Sequence, residues 1–184
     1  KKKPILPFIT HDVVVNYGIF SKLKLNVKFI QLLRNPIDLA YSWYKRGLGN
    51  RFGNDPRVFT LLLKKQKKPY PWYLYNFSKK FIKMNNCERS IYYVILLTKK
   101  SIKEYKKNKN KKKIYLTSYE KIVEETNKEL LNISKYLNTN FSKKTLNFIK
   151  KEKLPKKIKK KERTNKLKFI KNKVSPKIFK ELVL

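Results

Sequence analysis

LLRNPIDLAYSWY, the stretch from Leu32 to Tyr44, marks a strand that ends on an arginine and turns directly into a helix. The apolar run VKFIQLL at residues 27–33 leads into it and is typical of a buried strand. Pro36 suits the first turn of a helix, and Gly47 is a typical stop signal. The sequence therefore predicts a strand-to-helix corner that carries Arg34.

The composition indicates one folded domain in a reducing compartment. The chain has 184 residues, of which 41% are hydrophobic and 14% aromatic, whereas disordered chains are poor in aromatic residues. This length is usual for one domain, so we expect residues 1–184 to form a single domain. Cys87 is the only cysteine, which excludes an internal disulfide and a zinc site made of thiolates. We therefore expect a cytoplasmic protein without a metal.

The net charge of +36 raises the question of a polyanionic partner. Basic surfaces attract nucleic acids and anionic membranes, but 42 of the 48 basic residues are Lys and 6 are Arg, and phosphate and base recognition favours the Arg fork. A compositional drift toward codons rich in A and T explains the lysines as well. A basic nucleic-acid-binding protein remains an alternative, although we expect no specific nucleic-acid partner. No apolar run reaches the roughly 18 residues that a membrane span needs, and a Golgi location would require an anchor upstream of the chain.

The pattern of apolar residues predicts an α/β fold with a mainly parallel sheet. Short continuous apolar runs are typical of strands covered on both faces, and helical periodicity separates them, as in right-handed crossovers. The predicted strands are residues 4–10, 27–33 and 113–119. The predicted helices are residues 36–47, 55–65, 71–85, 88–107, 119–137, 142–150 and 175–184.

The segment 150–173 is highly basic, with 13 basic and 2 acidic residues. A charge run of this kind is usually a solvated or mobile surface, and we expect the same here. The alternative is that the segment folds over a bound anion.

Arg34 and Ser42 form a candidate anion clamp at the strand-to-helix corner. In open α/β sheets, ligands bind outside the carboxyl ends of the strands, and helix N-termini offer free N–H groups and a partial positive charge to phosphate. Arg34 stands at such an end, and Ser42 lies two turns along the following helix. A second interpretation stays open, in which Arg34 pairs with Asp38 and Ser42 is an ordinary helix serine.

The same stretch resembles the 3′-phosphate-binding segment of the sulfotransferase family, a strand followed by R-[ND]-P-x-[DE]-x-x-x-S. Its fixed positions are matched by Arg34, Asn35, Pro36, Asp38 and Ser42. The resemblance implies a P-loop-like three-layer domain in which a mainly parallel sheet is flanked by helices. It also implies that Arg34 and Ser42 bind the 3′-phosphate of the sulfuryl donor 3′-phosphoadenosine 5′-phosphosulfate (PAPS), whose product is adenosine 3′,5′-bisphosphate.

Two flanking segments extend the resemblance along the chain. FITHD, residues 8–12, is similar to the family's strand that ends in Thr-His, where the His is the catalytic base, and this implies that role for His11. A neutral imidazole suits the role of catalytic base, because an imidazole nitrogen can take a proton from an attacking hydroxyl. Asp12 stands where cytosolic members usually have an apolar residue. IYLTSYEKIV, residues 114–123, resembles a later strand of the family and the helix start that follows it, with Glu120 as a first-turn helix acid.

The resemblance is greatest to sulfotransferases that act on carbohydrates, including the heparan 2-O type. It implies a hydroxyl of a sugar or polysaccharide as the acceptor, neutral or anionic. Arg163 and Lys166 in the basic segment resemble a late part of the family in which basic residues return to the 3′-phosphate. The surrounding lysines suit an anionic acceptor equally well.

The family's Gly-rich 5′-phosphosulfate loop has no counterpart in the chain. All the glycines follow His11, and they are Gly18, Gly47, Gly49 and Gly53. We expect the chain to be a fragment whose N-terminal strand, loop and helix lie upstream; the alternative is a catalytically inactive sulfotransferase-like protein. On their own, the 184 residues are expected to bind the donor poorly and to turn over little.

Overall fold

The computed structural model of the chain describes residues 5–7, 9, 15, 17–22, 26–51, 61–65, 68–108 and 110–183. The helices of this part are α1 (Tyr17–Ser21), α2 (Pro36–Lys45), α3 (Ser78–Ile82), α4 (Asn86–Lys107), α5 (Tyr119–Glu124), α6 (Thr126–Leu137), α7 (Lys143–Lys151), α8 (Lys160–Lys173) and α9 (Pro176–Val183). The strands are β1 (Phe29–Leu33), β2 (Leu62–Lys65), β3 (Lys68–Pro71) and β4 (Ile114–Ser118). Short 3₁₀ helices lie at Leu48–Asn50, Trp72–Phe77 and Lys111–Lys113.

A small parallel sheet, formed by β1 and β4, positions the rest of the structure. Phe29 pairs with Ile114 and Leu33 with Ser118, which confirms the strands predicted at 27–33 and 113–119. Parallel strands need a crossover connection, and here the connection contains α2 and α4. The result is a mixed helix-and-strand structure that is compatible with the predicted α/β fold.

The strand predicted at residues 4–10 is wrong at its described positions. Residues 5–7 and 9 have no strand structure, and Ile5, Leu6 and Ile9 are 54%, 90% and 93% exposed. An apolar run forms a strand only where a neighbouring strand satisfies its backbone groups. None of the strand pairs in the described ranges includes these residues, and the other positions of the run lie outside those ranges.

The LLRNPIDLAYSWY stretch forms the predicted strand end and helix. Asn35 caps α2, since its side-chain oxygen accepts a hydrogen bond from the backbone N–H of Ile37 at 3.0 Å. Pro36 occupies the first helical position, where its missing N–H costs nothing. The helix ends shortly before Gly47, which adopts a left-handed φ of 69°. The helix predicted at 36–47 is therefore confirmed, with its last full turn ending at Lys45.

The helix predicted at residues 55–65 is wrong at its described positions, 61–65, because Leu62–Lys65 form β2 of an antiparallel hairpin. β2 pairs with β3 so that Lys64 lies opposite Pro69. Proline lacks an N–H and holds the residue before it in extended backbone, so Pro69 and Pro71 favour an edge strand over a helix. The other positions of that predicted helix, residues 55–60, lie outside the described part of the chain.

Two predicted helices are each divided. Residues 71–85 form the second 3₁₀ helix and then α3. Residues 119–137 form α5 and α6, which meet at Glu125. The hydroxyl of Thr126 donates a hydrogen bond to the carbonyl of Ile122 at 2.6 Å, and a side-chain bond of this kind competes with the helical hydrogen-bond ladder.

α4 lies at the centre of the core. A capping box starts it, because Asn85 accepts from the Glu88 N–H at 2.9 Å while Glu88 accepts from the Asn85 N–H at 3.2 Å. The helix predicted at 88–107 is thus confirmed and begins slightly earlier. Its side chains meet apolar residues of α2, α8 and α9 in one cluster. None of the helices within the described ranges is both long and apolar enough to cross a membrane.

The basic segment 150–173 is more structured than expected, because most of it is α8. Ile170 is fully buried at 0% exposure, and the ring of Phe169 lies 5.4 Å from the rings of both Tyr41 and Tyr44 in α2. α8 is therefore a docked helix, while 9 of its 14 residues are exposed, as expected of a solvated surface. Apolar residues interleaved with the lysines dock the helix, while lysines such as Lys168 stay exposed.

Candidate functional site

Arg34 and Tyr119 lie side by side at the carboxyl ends of β1 and β4. Because Leu33 pairs with Ser118, the next residue of each chain segment leaves the sheet at the same edge. The guanidinium carbon of Arg34 is 4.5 Å from the centre of the Tyr119 ring, which is within the range of a cation–π contact. The Nε atom of Arg34 is buried and has no hydrogen-bond partner. An unsatisfied buried donor costs about 1–3 kcal/mol, so a ligand oxygen that reached this nitrogen would relieve that cost.

Asn35 and Glu120 fasten the same corner one residue further on. The backbone N–H of Asn35 donates to Glu120 Oε1 at 2.9 Å, which ties the start of α2 to the first turn of α5. An acidic side chain in a first turn is stabilised by the partial positive charge of the helix N-terminus. The expected position of Glu120 as a first-turn helix acid is confirmed. Its hydrogen bond with Asn35 also joins α5 to α2.

Asp38 anchors α8 to α2. Its carboxylate is only 6% exposed; Oδ2 accepts from Arg163 Nε at 2.9 Å, and Oδ1 accepts from Lys166 Nζ at 2.7 Å. Burial alone would raise the pKa of this carboxyl, but hydrogen bonds and positive charge from Lys166 and Arg163 outweigh it. The pKa of Asp38 is therefore lowered from its ordinary value of 3.8. Among the described residues, the ion pairs of Asp38 are with Arg163 and Lys166 and none is with Arg34, so the alternative pairing of Asp38 with Arg34 is wrong.

Arg163 links this ion cluster to the strand ends. Its Nη2 atom lies 3.6 Å from Glu120 Oε1, which is an ion-pair distance but too long for a hydrogen bond. Arg34, Arg163 and Lys166 thus bring positive charge from β1 and α8 to one corner, against the carboxylates of Asp38 and Glu120. The corner has a net positive charge, with arginine donors that suit a planar or tetrahedral oxyanion.

Ser42 stands apart from this cluster of contacts. It is half-buried in α2 and follows Asp38 by four residues, so both lie on the same face of the helix. None of the hydrogen bonds described for the structure joins its hydroxyl to Arg34. The structure therefore brings Arg163 and Lys166 to the corner through Asp38, and leaves the role predicted for Ser42 as a prediction.

His11 and Asp12 lie outside the described residues, so the catalytic role of His11 also stays a prediction. Among the residues that the structure does describe, no three His, Cys, Asp or Glu side chains come together as metal ligands would.

The sequence did not single out Tyr119 or the clustering around Asp38. Tyr119 could have been found, because it is the last residue of the strand predicted at 113–119, and Arg34 directly follows the strand predicted at 27–33. The Asp38 contacts reach across 125 and 128 residues of chain. No local pattern reports contacts over that separation.

Comparison with known protein families places the chain. The model of the sulfotransferase domain family matches residues 8–183 of the chain. No curated protein and no solved structure matches the chain significantly. The family match spans almost the whole sequence and includes every described residue of the corner. The chain therefore belongs to the sulfotransferase family, and the chemistry that this membership supports is the transfer of a sulfuryl group.

Proposed function

We propose that the chain is a sulfotransferase that transfers a sulfuryl group from PAPS to a hydroxyl of a carbohydrate-type acceptor. The observation that carries the proposal is the corner at Arg34. There the residues that resemble the family's 3′-phosphate motif coincide with a buried guanidinium nitrogen that has no hydrogen-bond partner. The parallel pairing of β1 and β4, with helices between them, supports P-loop-like layering of the domain.

The 3′-phosphate of the donor is proposed to bind Arg34 and Ser42, together with Arg163 and Lys166. The donors present fit a phosphate: Arg34 has a buried Nε without a hydrogen-bond partner and contacts the Tyr119 ring through its guanidinium group, and arginine forks bind phosphate oxygens in pairs. The N-terminus of α2, directly after Arg34, adds a partial positive charge. Two carboxylates offset part of the charge at the corner, so specific donors rather than bulk charge must recognise the phosphate.

His11 is proposed as the general base. PAPS supplies the activated sulfuryl group, and the acceptor oxygen forms the new bond to sulfur as the bond from sulfur to the phosphate oxygen breaks. His11 accepts the proton that the acceptor hydroxyl loses, which suits an imidazole with a pKa of about 6.5. Adenosine 3′,5′-bisphosphate is the leaving product, and the proposed reaction needs no metal ion.

The lysines at 150–161 support an acceptor that is itself anionic, such as a polysaccharide with carboxylate or sulfate groups. They are exposed, and this segment lies against the end of α5. The Lys156 N–H donates to the Val123 carbonyl at 2.9 Å, and the Ile158 N–H donates to Glu124 Oε1 at 2.9 Å. Because α5 begins at the Tyr119 corner, the lysines border the proposed donor site and can attract a polyanion to it.

The first experiment measures thermal stabilisation of the chain by adenosine 3′,5′-bisphosphate and by adenosine 5′-monophosphate. Recognition of the 3′-phosphate predicts a higher melting temperature with the bisphosphate than with the monophosphate, because a ligand that binds only the native state stabilises it. Equal effects of the two nucleotides would contradict the proposed donor site. Tighter binding of duplex DNA that persists at high salt would favour the nucleic-acid alternative.

The second experiment measures transfer from radiolabelled PAPS to a panel of neutral and acidic polysaccharides. Label in a polysaccharide identifies the acceptor class, and His11→Ala should abolish it while leaving bisphosphate binding unchanged. Because the 184 residues are expected to turn over little without the 5′-phosphosulfate loop, the assay uses a protein extended upstream to include that loop. Bisphosphate binding without any transfer by this longer protein would support the alternative of a catalytically inactive protein. Full activity of the His11→Ala variant would remove the assignment of the base.

A further inference from the structure

Arg163 is held along one edge of its guanidinium group and open along the other. Its Nε donates to the buried Asp38 carboxylate at 2.9 Å. Of its terminal nitrogens, Nη2 reaches only the ion-pair distance of 3.6 Å to Glu120. None of the described hydrogen bonds takes up either terminal nitrogen of Arg163, and the side chain is 33% exposed. The free edge can therefore meet an oxyanion without breaking the bond to Asp38.

Asp38 is itself fixed from several sides. Its second oxygen accepts from Lys166 at 2.7 Å, and its side chain is 6% exposed. Arg163 and Lys166 are three residues apart on α8, so they project from the same face of that helix. A carboxylate gripped by two cations of one helix sets the position of that helix and the direction of the guanidinium plane.

We propose that Asp38 is a positioning residue, which orients Arg163 so that the terminal nitrogens of its guanidinium group face the 3′-phosphate of the donor. This inference rests on the proposed function. Asp38 acts through Arg163 and does not touch the donor. Its negative charge lies behind the guanidinium, on the side away from the ligand, and supplies direction rather than affinity of its own.

A double-mutant cycle tests this inference. Dissociation constants for adenosine 3′,5′-bisphosphate are measured by calorimetry for the wild-type chain, Asp38→Asn, Arg163→Lys and the double variant. Arg163→Lys keeps the positive charge but removes the fork that Asp38 orients. Each single variant should bind the bisphosphate about tenfold more weakly, and the double variant should be no weaker than the weaker single variant, because both changes remove the same interaction.

Matched controls separate positioning from general stabilisation. Glu181→Gln removes the exposed ion pair with Lys99, which joins α4 to α9 away from the corner, and should leave the affinity unchanged within twofold. Adenosine 5′-monophosphate lacks the 3′-phosphate, so its affinity should fall less than twofold in the Asp38→Asn variant. If Asp38→Asn does not fold, Asp38→Glu takes its place, because it keeps the charge but displaces the carboxylate by a methylene group, and it should weaken bisphosphate binding at least threefold.

The outcomes are distinguishable. Additive losses in the cycle, or equal losses for both nucleotides, would overturn the positioning role while leaving the proposed function standing. Unchanged affinity in Asp38→Asn, or in the Asp38→Glu variant that replaces it, would also overturn the role. A wild-type chain that does not prefer the bisphosphate would overturn the proposed function, and the positioning role with it.

Discussion

The guanidinium carbon of Arg34 lies 4.5 Å from the centre of the Tyr119 ring, and strand register sets this contact. β1 and β4 run in parallel with Leu33 opposite Ser118, so the two side chains leave the sheet together. The ring covers one face of the guanidinium, while Nε is buried without a partner. Arg34 is thereby distinguished from the many exposed basic residues of the chain by its geometry rather than by its charge.

Replacing Arg34 with Ala should weaken the binding of adenosine 3′,5′-bisphosphate by about 1.5–3 kcal/mol, the usual worth of a charge-assisted contact. Calorimetric titration of the variant against the wild-type chain measures the loss. Arg46→Ala is the matched control. The substitution removes the same charge from the chain, and Arg46 is exposed just beyond the end of α2. A loss of the same size in both variants would mean that bulk charge, and not the corner, binds the nucleotide.

Tyr119 should support binding through its ring alone. Tyr119→Leu removes the aromatic face beneath Arg34 and should weaken bisphosphate binding by about 0.5–1 kcal/mol, the range of an exposed cation–π contact. Tyr119→Phe keeps the face and should bind like the wild-type chain. If the Phe variant loses as much affinity as the Leu variant, the hydroxyl rather than the stacking is responsible.

The parts of the fold that could be predicted are those fixed by local chemistry. The strand before Arg34 ends where Asn35 and Pro36 together start a helix, and a cap and a proline are readable from adjacent residues alone. α4 was also predictable, because the periodicity of its apolar residues can be read from one continuous stretch of sequence. The hairpin at β2 and β3 was missed, because an apolar run that includes Leu61 to Leu63 fits a helix as well as a strand until its pairing partner is known.

Most residues of the candidate site could be named from the sequence, but only those on its strand side could be positioned. Arg34 is marked by its position in the sequence, whereas Arg163 and Lys166 reach Asp38 across more than a hundred residues. The many lysines of the basic segment indicated a solvated surface, so the burial of Ile170, which docks α8, was not predicted. Long-range ion pairs depend on how helices pack, and a single sequence does not report that packing.

Gly49 should not tolerate a side chain. A Cβ atom at this position would lie 2.2 Å from the backbone oxygen of Asn86, at the start of α4, and backbone cannot move aside cheaply. Gly49→Ala should therefore lower the free energy of unfolding by about 1–3 kcal/mol, as overpacking does, in urea titrations followed by circular dichroism. Gly18→Ala is the control: a Cβ there meets nothing within 4 Å, and alanine in a helix should be neutral or stabilising. Equal stability of the two variants would contradict the close approach at Gly49.

Cys87 should be unreactive in the folded chain. It is 3% exposed, and burial, reinforced by the negative charge of Glu88, raises its pKa to about 11, so little thiolate forms at pH 8. A thiol reagent should label the native chain at least a hundredfold more slowly than the chain in denaturant. Because Cys87 is the only cysteine, the labelling rate reports on this position alone. Rapid labelling of the native chain would show that the start of α4 opens readily.

Asp38 should make the stability of the chain sensitive to acid. Its pKa is lowered in the folded state from the ordinary value of 3.8, so the native chain holds fewer protons than the unfolded chain and stability rises with pH through this range. The contribution is complete above about pH 4 and is lost as the pH falls through the folded pKa.

The acid sensitivity can be measured by comparing Asp38→Asn with the wild-type chain in urea unfolding at several pH values. The variant should be less stable by about 1–3 kcal/mol near neutral pH, because Arg163 and Lys166 lose a charged partner, and this deficit should shrink below about pH 4 as the wild-type carboxylate becomes protonated. Glu181→Gln, which removes an exposed ion pair with Lys99, should show little deficit at any pH, since such pairs contribute little. A deficit in Asp38→Asn that stays constant to about pH 2, or grows on acidification, would mean that the Asp38 carboxylate does not stabilise the fold through its charge.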